Sequence, residues 1–187
     1  MAEQNERPIV LVGMMGAGKS TVGREYARRY GLEFIDCDHE LEARTGVRIA
    51  TIFEIEGEEG FRRRETLLLE TLLARPGIVL GTGGGVVLSA ENRRLLRSRG
   101  IVVYLNVPPR VLWERTRHDR SRPLLQVPNP RQRIVSLHQE RDPLYREVAD
   151  IVVEGNRGSL SSMVRQVEAA IEKFKQNRHA HSECGPG

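Results

Sequence analysis

The sequence predicts an α/β fold in which a parallel sheet is covered by helices on both faces, and three observations carry that expectation. Five short, β-branched apolar runs alternate with segments of helical period. A phosphate-loop spacing falls between the first such run and the first helical segment. A chain of 187 residues, 39% of them hydrophobic, suits one core and excludes two large domains.

The first strand, Ile9 to Val12, follows a proline and ends in glycine, as a buried strand does. Lys19 to Tyr30 has helical spacing and stops at Gly31. A second strand, Leu32 to Ile35, leads into Asp36, Cys37 and Asp38. Helical sequence follows from His39 to Ala43 and from Ala50 to Glu56, is broken at Gly57 to Gly60, and resumes from Phe61 to Ala74. Ile78 to Leu80 is a third strand running into Gly83, Gly84 and Gly85. Ser89 caps a helix that ends at Arg99, and Ile101 to Leu105 is the fourth strand. After a helix from Pro108 to about Arg117, the proline-rich segment His118 to Pro130 has no period and reads as a mobile loop. A helix from Arg131 to Glu147, a fifth strand from Ile151 to Val153 and an amphipathic helix from Ser159 to Lys175 complete the pattern, and the last dozen residues read as disordered.

Composition narrows the setting. No apolar run approaches the roughly twenty residues of a membrane span, and the acidic, proline-containing start does not read as a secretory signal. Cys37 and Cys184 lie far apart, so the expectation is a reducing, cytoplasmic compartment. Of the 29 basic residues only Lys19, Lys173 and Lys175 are lysine. Base composition accounts for most of that bias, but it makes Lys19 conspicuous, because a compact ammonium does things a planar guanidinium cannot.

The strongest local signal is Gly13 to Ser20, GMMGAGKS. In this pattern glycines turn successive backbone N–H groups toward phosphate oxygens, Lys19 reaches the β and γ phosphates, and Ser20 offers a hydroxyl to Mg²⁺. Asp36 and Asp38 end a strand at the edge where open α/β sheets bind ligands. They are expected to point in opposite directions and serve nucleotide and metal on one side, an acceptor on the other. Acids after a strand also cap the next helix. The triple glycine at 83 to 85 suits a place where another group approaches the backbone. Arg62, Arg63 and Arg64 open a helical segment against its dipole, a cost that suits a ligand role for at least one. Between residues 110 and 146, nine arginines face four acids, so the +4 net charge is concentrated there.

Taken together, GMMGAGKST, DCD, GEEGFRRRE, GGG, RPLL and RDPLYR, in that order over about residues 9 to 175, closely resemble the shikimate kinase family. The resemblance implies a P-loop, nucleoside-monophosphate-kinase-like three-layer fold with strand order 2-3-1-4-5, and a single domain over residues 1–178. A mobile lid at about 115–130 and a disordered tail at 179–187 belong to the same expectation. It also implies ATP-dependent phosphorylation of the 3-hydroxyl of shikimate in aromatic amino-acid biosynthesis, with Mg²⁺, by a cytoplasmic monomer.

Carried over by motif, Gly16, Ala17, Gly18, Lys19, Ser20 and Thr21 would hold the ATP phosphates. Ser20 and Asp36 would serve the metal, Asp36 through water. Asp38 would receive the shikimate ring hydroxyls and orient or deprotonate the attacking oxygen. Arg62 and Arg141 would clamp the carboxylate beside Gly83, Gly84 and Gly85, and Arg122 would close with the lid onto the transferred phosphoryl group. Arg115 would lie against adenine and Arg157 near the nucleotide, although Gly158 stands where a second basic residue is expected.

A gluconate kinase or another small-molecule kinase of the same fold would share the phosphate loop and lid but has no need of Arg62, the glycine turn and Arg141 together. A nucleic-acid-binding module would interleave aromatics with its cations, and aromatics make up only 5% of the chain. No nucleic-acid or membrane partner is expected. A non-catalytic ATP-binding regulator would be expected to lack a metal or acceptor carboxylate, and Ser20, Asp36 and Asp38 are all present.

Overall fold

The computed structural model describes residues 7–119, 123–155 and 159–182. Its centre is a five-stranded, all-parallel sheet of order β2-β3-β1-β4-β5. The strands are β1 (Ile9–Val12), β2 (Glu33–Asp36), β3 (Ile78–Gly81), β4 (Ile101–Asn106) and β5 (Ile151–Glu154). β1 and β3 are buried at every residue and β4 at all but its last, because helices cover both faces; this is why they read as unbroken apolar runs. The edge strand β5 alternates buried and exposed residues, as one open face demands. In register, Ile9 lies between Val79 and Ile101, and Asp36 lies beside Gly81, so the carboxyl ends of β1, β2 and β3 meet at one edge.

Seven helices surround the sheet: α1 (Lys19–Tyr30), α2 (Cys37–Thr45), α3 (Ile49–Leu72), α4 (Ala90–Arg99), α5 (Pro109–Thr116), α6 (Pro130–Val148) and α7 (Leu160–Ser182). Local signals set most ends. Gly31 closes α1 in the left-handed region and donates its N–H to Ala27. The hydroxyl of Ser89 accepts from Asn92 N, and the side chain of Asn129 accepts from Gln132 N ahead of Pro130. No helix among the described residues is long and apolar enough to cross a membrane.

Three sequence expectations are adjusted. The expected break at Gly57 to Gly60 is a single-residue kink at Gly57 (φ 67°, ψ −174°), and Gly60 is already helical again. Arg62, Arg63 and Arg64 therefore sit inside α3, where Glu58, Glu59 and Glu56 pair with them in turn and offset the unfavourable dipole. The terminal helix runs to Ser182, past Lys175 and into the segment expected to be a tail, while residues 183–187 lie outside the described residues. Of the expected lid, Arg115 and Thr116 belong to α5, Pro123–Leu125 form a short 3₁₀ turn and Pro130 opens α6.

Candidate active site

The loop between β1 and α1 is shaped by glycine. Gly16 (φ 78°) and Gly18 (φ 97°) lie in the left-handed region, where a side chain is strained. Gly18 is the N-cap of α1 without a side-chain cap, and the first turn carries no acid, so the positive dipole end faces the cleft uncompensated by a carboxylate on the helix. Lys19 Nζ donates to the loop carbonyls of Gly13 (2.7 Å) and Met14 (2.9 Å), which holds the ammonium over the loop. Arg115, from α5, donates through Nη1 to the carbonyls of Gly16 (3.2 Å) and Ala17 (3.3 Å), and so braces the loop while lining the same cleft.

This loop forms one wall of a cleft of about 570 Å³, also lined by Asp36, Asp38, Thr82, Gly83 and Gly84. The two aspartates do not diverge: residues two apart on extended chain share a face, and both line the same cleft. Asp36 ends β2 and caps α2: its Oδ1 accepts from the backbone N of Asp38 (3.1 Å) and His39 (3.3 Å). Asp38 is therefore already helical, and the turn between strand and helix brings both carboxylates into the same cleft. The capping role belongs to Asp36. Its other oxygen, Oδ2, accepts from Ser20 Oγ at 2.8 Å, joining the loop to the end of β2.

Burial, reinforced by the Asp36 charge, pushes the Asp38 carboxyl above its ordinary value, against the opposing pull of Lys19. Between the two acids, Cys37 is buried and its thiol is pushed up strongly by desolvation, so it packs and does not react.

The triple glycine is where the acceptor side of the cleft is assembled. None of the three has a positive φ, so close approach explains them and backbone conformation does not. A Cβ on Gly83 would lie 3.0 Å from Asp38 Oδ1; one on Gly84 would lie 3.5 Å from Arg141 Nη1 and 3.5 Å from Met15 N; one on Gly85 would collide with the Arg62 guanidinium. Residues from α2, α6 and α3 thus converge on three consecutive positions.

The two guanidinium groups are held differently. Arg62 Nη1 donates to Glu65 Oε2 at 2.7 Å. Glu65 is buried, and desolvation raises its carboxyl despite Arg62. It also accepts from Asn92 Nδ2 (3.2 Å), whose amide donates in addition to Val86 O (3.0 Å). Arg141 is 5% exposed and is the one buried cation among the described residues. No carboxylate among them pairs with it, and its Nε has no partner. Burying a charge without a counter-charge is costly, so this position suits an anion that arrives from outside.

Sequence reasoning did not single out Glu65, Asn92 or Tyr145. The Arg62–Glu65 spacing of three in a helix was an available signal. The other two announce themselves only by burial. Arg122 and Arg157 lie outside the described residues.

Fold and cleft together define a phosphate-loop phosphotransferase. The sequence profile of the family described as shikimate kinase matches residues 15–172. A shikimate kinase of Aromatoleum aromaticum is 68% identical over 173 residues, covering 92% of this chain and 99% of its own length. One from Dechloromonas aromatica is 60% identical, covering 87% and 88%. Among solved structures, shikimate kinase from Acinetobacter baumannii in complex with shikimate is 50% identical with a TM-score of 0.85, covering 90% of this chain and 94% of that one. The chain belongs to the shikimate kinase family and is an ATP-dependent kinase. A gluconokinase from Sinorhizobium meliloti, 18% identical with a TM-score of 0.61, shares the fold alone.

Proposed function

We propose that this cleft transfers the γ-phosphoryl group of ATP to the 3-hydroxyl of shikimate, giving shikimate 3-phosphate for aromatic amino-acid biosynthesis. The observation that carries the acceptor assignment is Arg141, a buried cation without a carboxylate partner among the described residues, beside Gly84, which borders the phosphate loop. A planar carboxylate on the substrate is the counter-charge this site lacks, and forked donors from Arg141 and Arg62 suit it.

In this reading Gly16 to Thr21 cradle the phosphates, and Lys19 leaves the loop carbonyls to meet the β and γ oxygens. Ser20 Oγ and Asp36 Oδ2 are hard oxygen donors 2.8 Å apart beside the loop. Two protein oxygens suit Mg²⁺, which keeps most of its waters, and no cluster of three or more metal-binding side chains exists among the described residues. When bound there, Mg²⁺ would neutralise charge on the phosphate oxygens.

Asp38 receives the attacking hydroxyl. Its raised affinity for a proton suits it to accept one, although a loose phosphoryl-transfer transition state asks mainly for alignment. Gly83 to Gly85 leave room for the ring. Arg122 is assigned to the transferred phosphoryl group, Arg115 to the adenine side and Arg157 to the nucleotide. Cytoplasmic localisation and a monomeric state belong to the same proposal and rest on the family.

The test is ADP release in the presence of shikimate, quinate, gluconate and nucleoside monophosphates. Shikimate should be turned over far better than the others. Turnover of gluconate without turnover of shikimate would overturn the assignment.

A further inference from the structure

We propose that Tyr145 is a positioning residue for the acceptor, a neutral anchor that holds the Arg141 guanidinium and the Gly84 turn in one arrangement while leaving the positive charge of Arg141 free for substrate. The inference rests on the carboxylate-clamp reading above.

Tyr145 lies on α6, one helical turn beyond Arg141, and is fully buried. Its hydroxyl donates to Gly84 O at 2.5 Å, and Arg141 Nη1 reaches the same glycine, 3.5 Å from where a Cβ would stand. One hydroxyl therefore fixes the backbone that the arginine packs against. Gly84 in turn borders the phosphate loop, near Met15 N and Gly13 O. The same link thus sets where the carboxylate clamp stands relative to the loop that holds the phosphoryl donor.

The ring is fixed independently of the hydroxyl. It stacks on Tyr104 with centroids 4.9 Å apart and planes at 28°. The Tyr104 hydroxyl is held near Asp142 Oδ1 (2.9 Å) and Asn106 Oδ1 (3.1 Å). A phenylalanine at 145 would keep volume and stacking and lose only the hydroxyl and its hydrogen bond to Gly84.

The choice of a neutral partner has a physical reason, visible in the contrast with Arg62. That arginine is oriented by Glu65, and the ion pair spends part of its charge inside the protein. A carboxylate beside Arg141 would orient it equally well but would compete with the substrate carboxylate for the same N–H groups. A phenol that fixes the neighbouring backbone brings no charge and leaves the cation uncompensated.

The test compares wild type, Tyr145→Phe, Arg141→Ala and the double variant in steady-state kinetics with shikimate and with ATP. For Tyr145→Phe, the KM for shikimate should rise about ten-fold, as expected from losing the hydrogen bond that fixes Gly84 against Arg141, with the KM for ATP within two-fold of wild type. In the Arg141→Ala background the same substitution should add less than two-fold. Unchanged shikimate KM in Tyr145→Phe, or equal rises for both substrates, would overturn the positioning role, as would an undiminished effect in the Arg141→Ala background. Should Arg141→Ala itself leave the shikimate KM unchanged, the clamp reading would fail instead, and the two failures are distinguishable.

Discussion

Replacing Gly85 by alanine probes the assembly of the acceptor pocket with a single methyl group. Gly85 has φ −93° and ψ 2°, a conformation open to L residues, so the backbone tolerates the change. The new Cβ instead collides with the Arg62 guanidinium, the far end of a flexible side chain, which must swing away. Arg62 then loses its 2.7 Å bond to Glu65, and the buried carboxylate keeps Asn92 as its side-chain donor.

Two costs follow. The substrate carboxylate loses a charge-assisted hydrogen bond, about 1.5–3 kcal/mol, so the KM for shikimate should rise about 10- to 100-fold. The under-satisfied Glu65 should cost about 1–3 kcal/mol of stability, and at this chain length each kcal/mol lowers Tm by about 2–4 °C. The assay is initial rates against shikimate at saturating ATP and against ATP at saturating shikimate, with Tm by calorimetry. Gly83→Ala is the companion: its Cβ meets Asp38, so kcat should fall more than the shikimate KM rises. A shikimate KM within two-fold of wild type in Gly85→Ala would refute the placement of Arg62.

Asp38→Asn should lower kcat about 100-fold or more. It should also remove the acid limb of the pH–rate profile, whose midpoint in wild type should lie above the ordinary carboxylate range because burial raises Asp38. A carboxyl raised on folding binds its proton more tightly in the folded state. Its stability penalty is therefore absent below the unfolded pKa and complete above the folded one, so ligand-free Asp38→Asn should melt higher than wild type at neutral pH. Asp36→Ala removes both the α2 cap and the partner of Ser20; denaturant melts should show a loss of about 1 kcal/mol, and titration of activity with Mg²⁺ should show a higher requirement. Arg122→Ala should lower kcat about 1,000-fold with ATP binding partly retained, measured by single-turnover kinetics and nucleotide titration; unchanged turnover would remove it from the transition state.

The phosphate loop was legible because its chemistry is contiguous: Gly13 to Ser20 form one turn and one helix start, and backbone amides do the binding. Strand placement was legible because burial on both faces makes β1, β3 and β4 uniformly apolar. The triple glycine advertised close approach, but what approaches it was not readable locally. The expected divergence of Asp36 and Asp38 fails on strand periodicity itself, because residues two apart share a face, and the start of α2 at Cys37 keeps both carboxylates in one cleft.

By itself, then, the sequence determined an α/β fold with a phosphate-loop motif, an acid pair after the second strand and a glycine turn at the same sheet edge. The division of labour around that turn was decided by tertiary structure. Asp38, Arg141 and Arg62 reach Gly83, Gly84 and Gly85 from three different helices. Which arginine is compensated by Glu65, and which stays charged beside Tyr145, depends on contacts between residues distant along the chain. Local pattern encodes which groups a segment carries. Packing of the layers sets which of them meet with water excluded, and that exclusion makes an uncompensated arginine a strong carboxylate site.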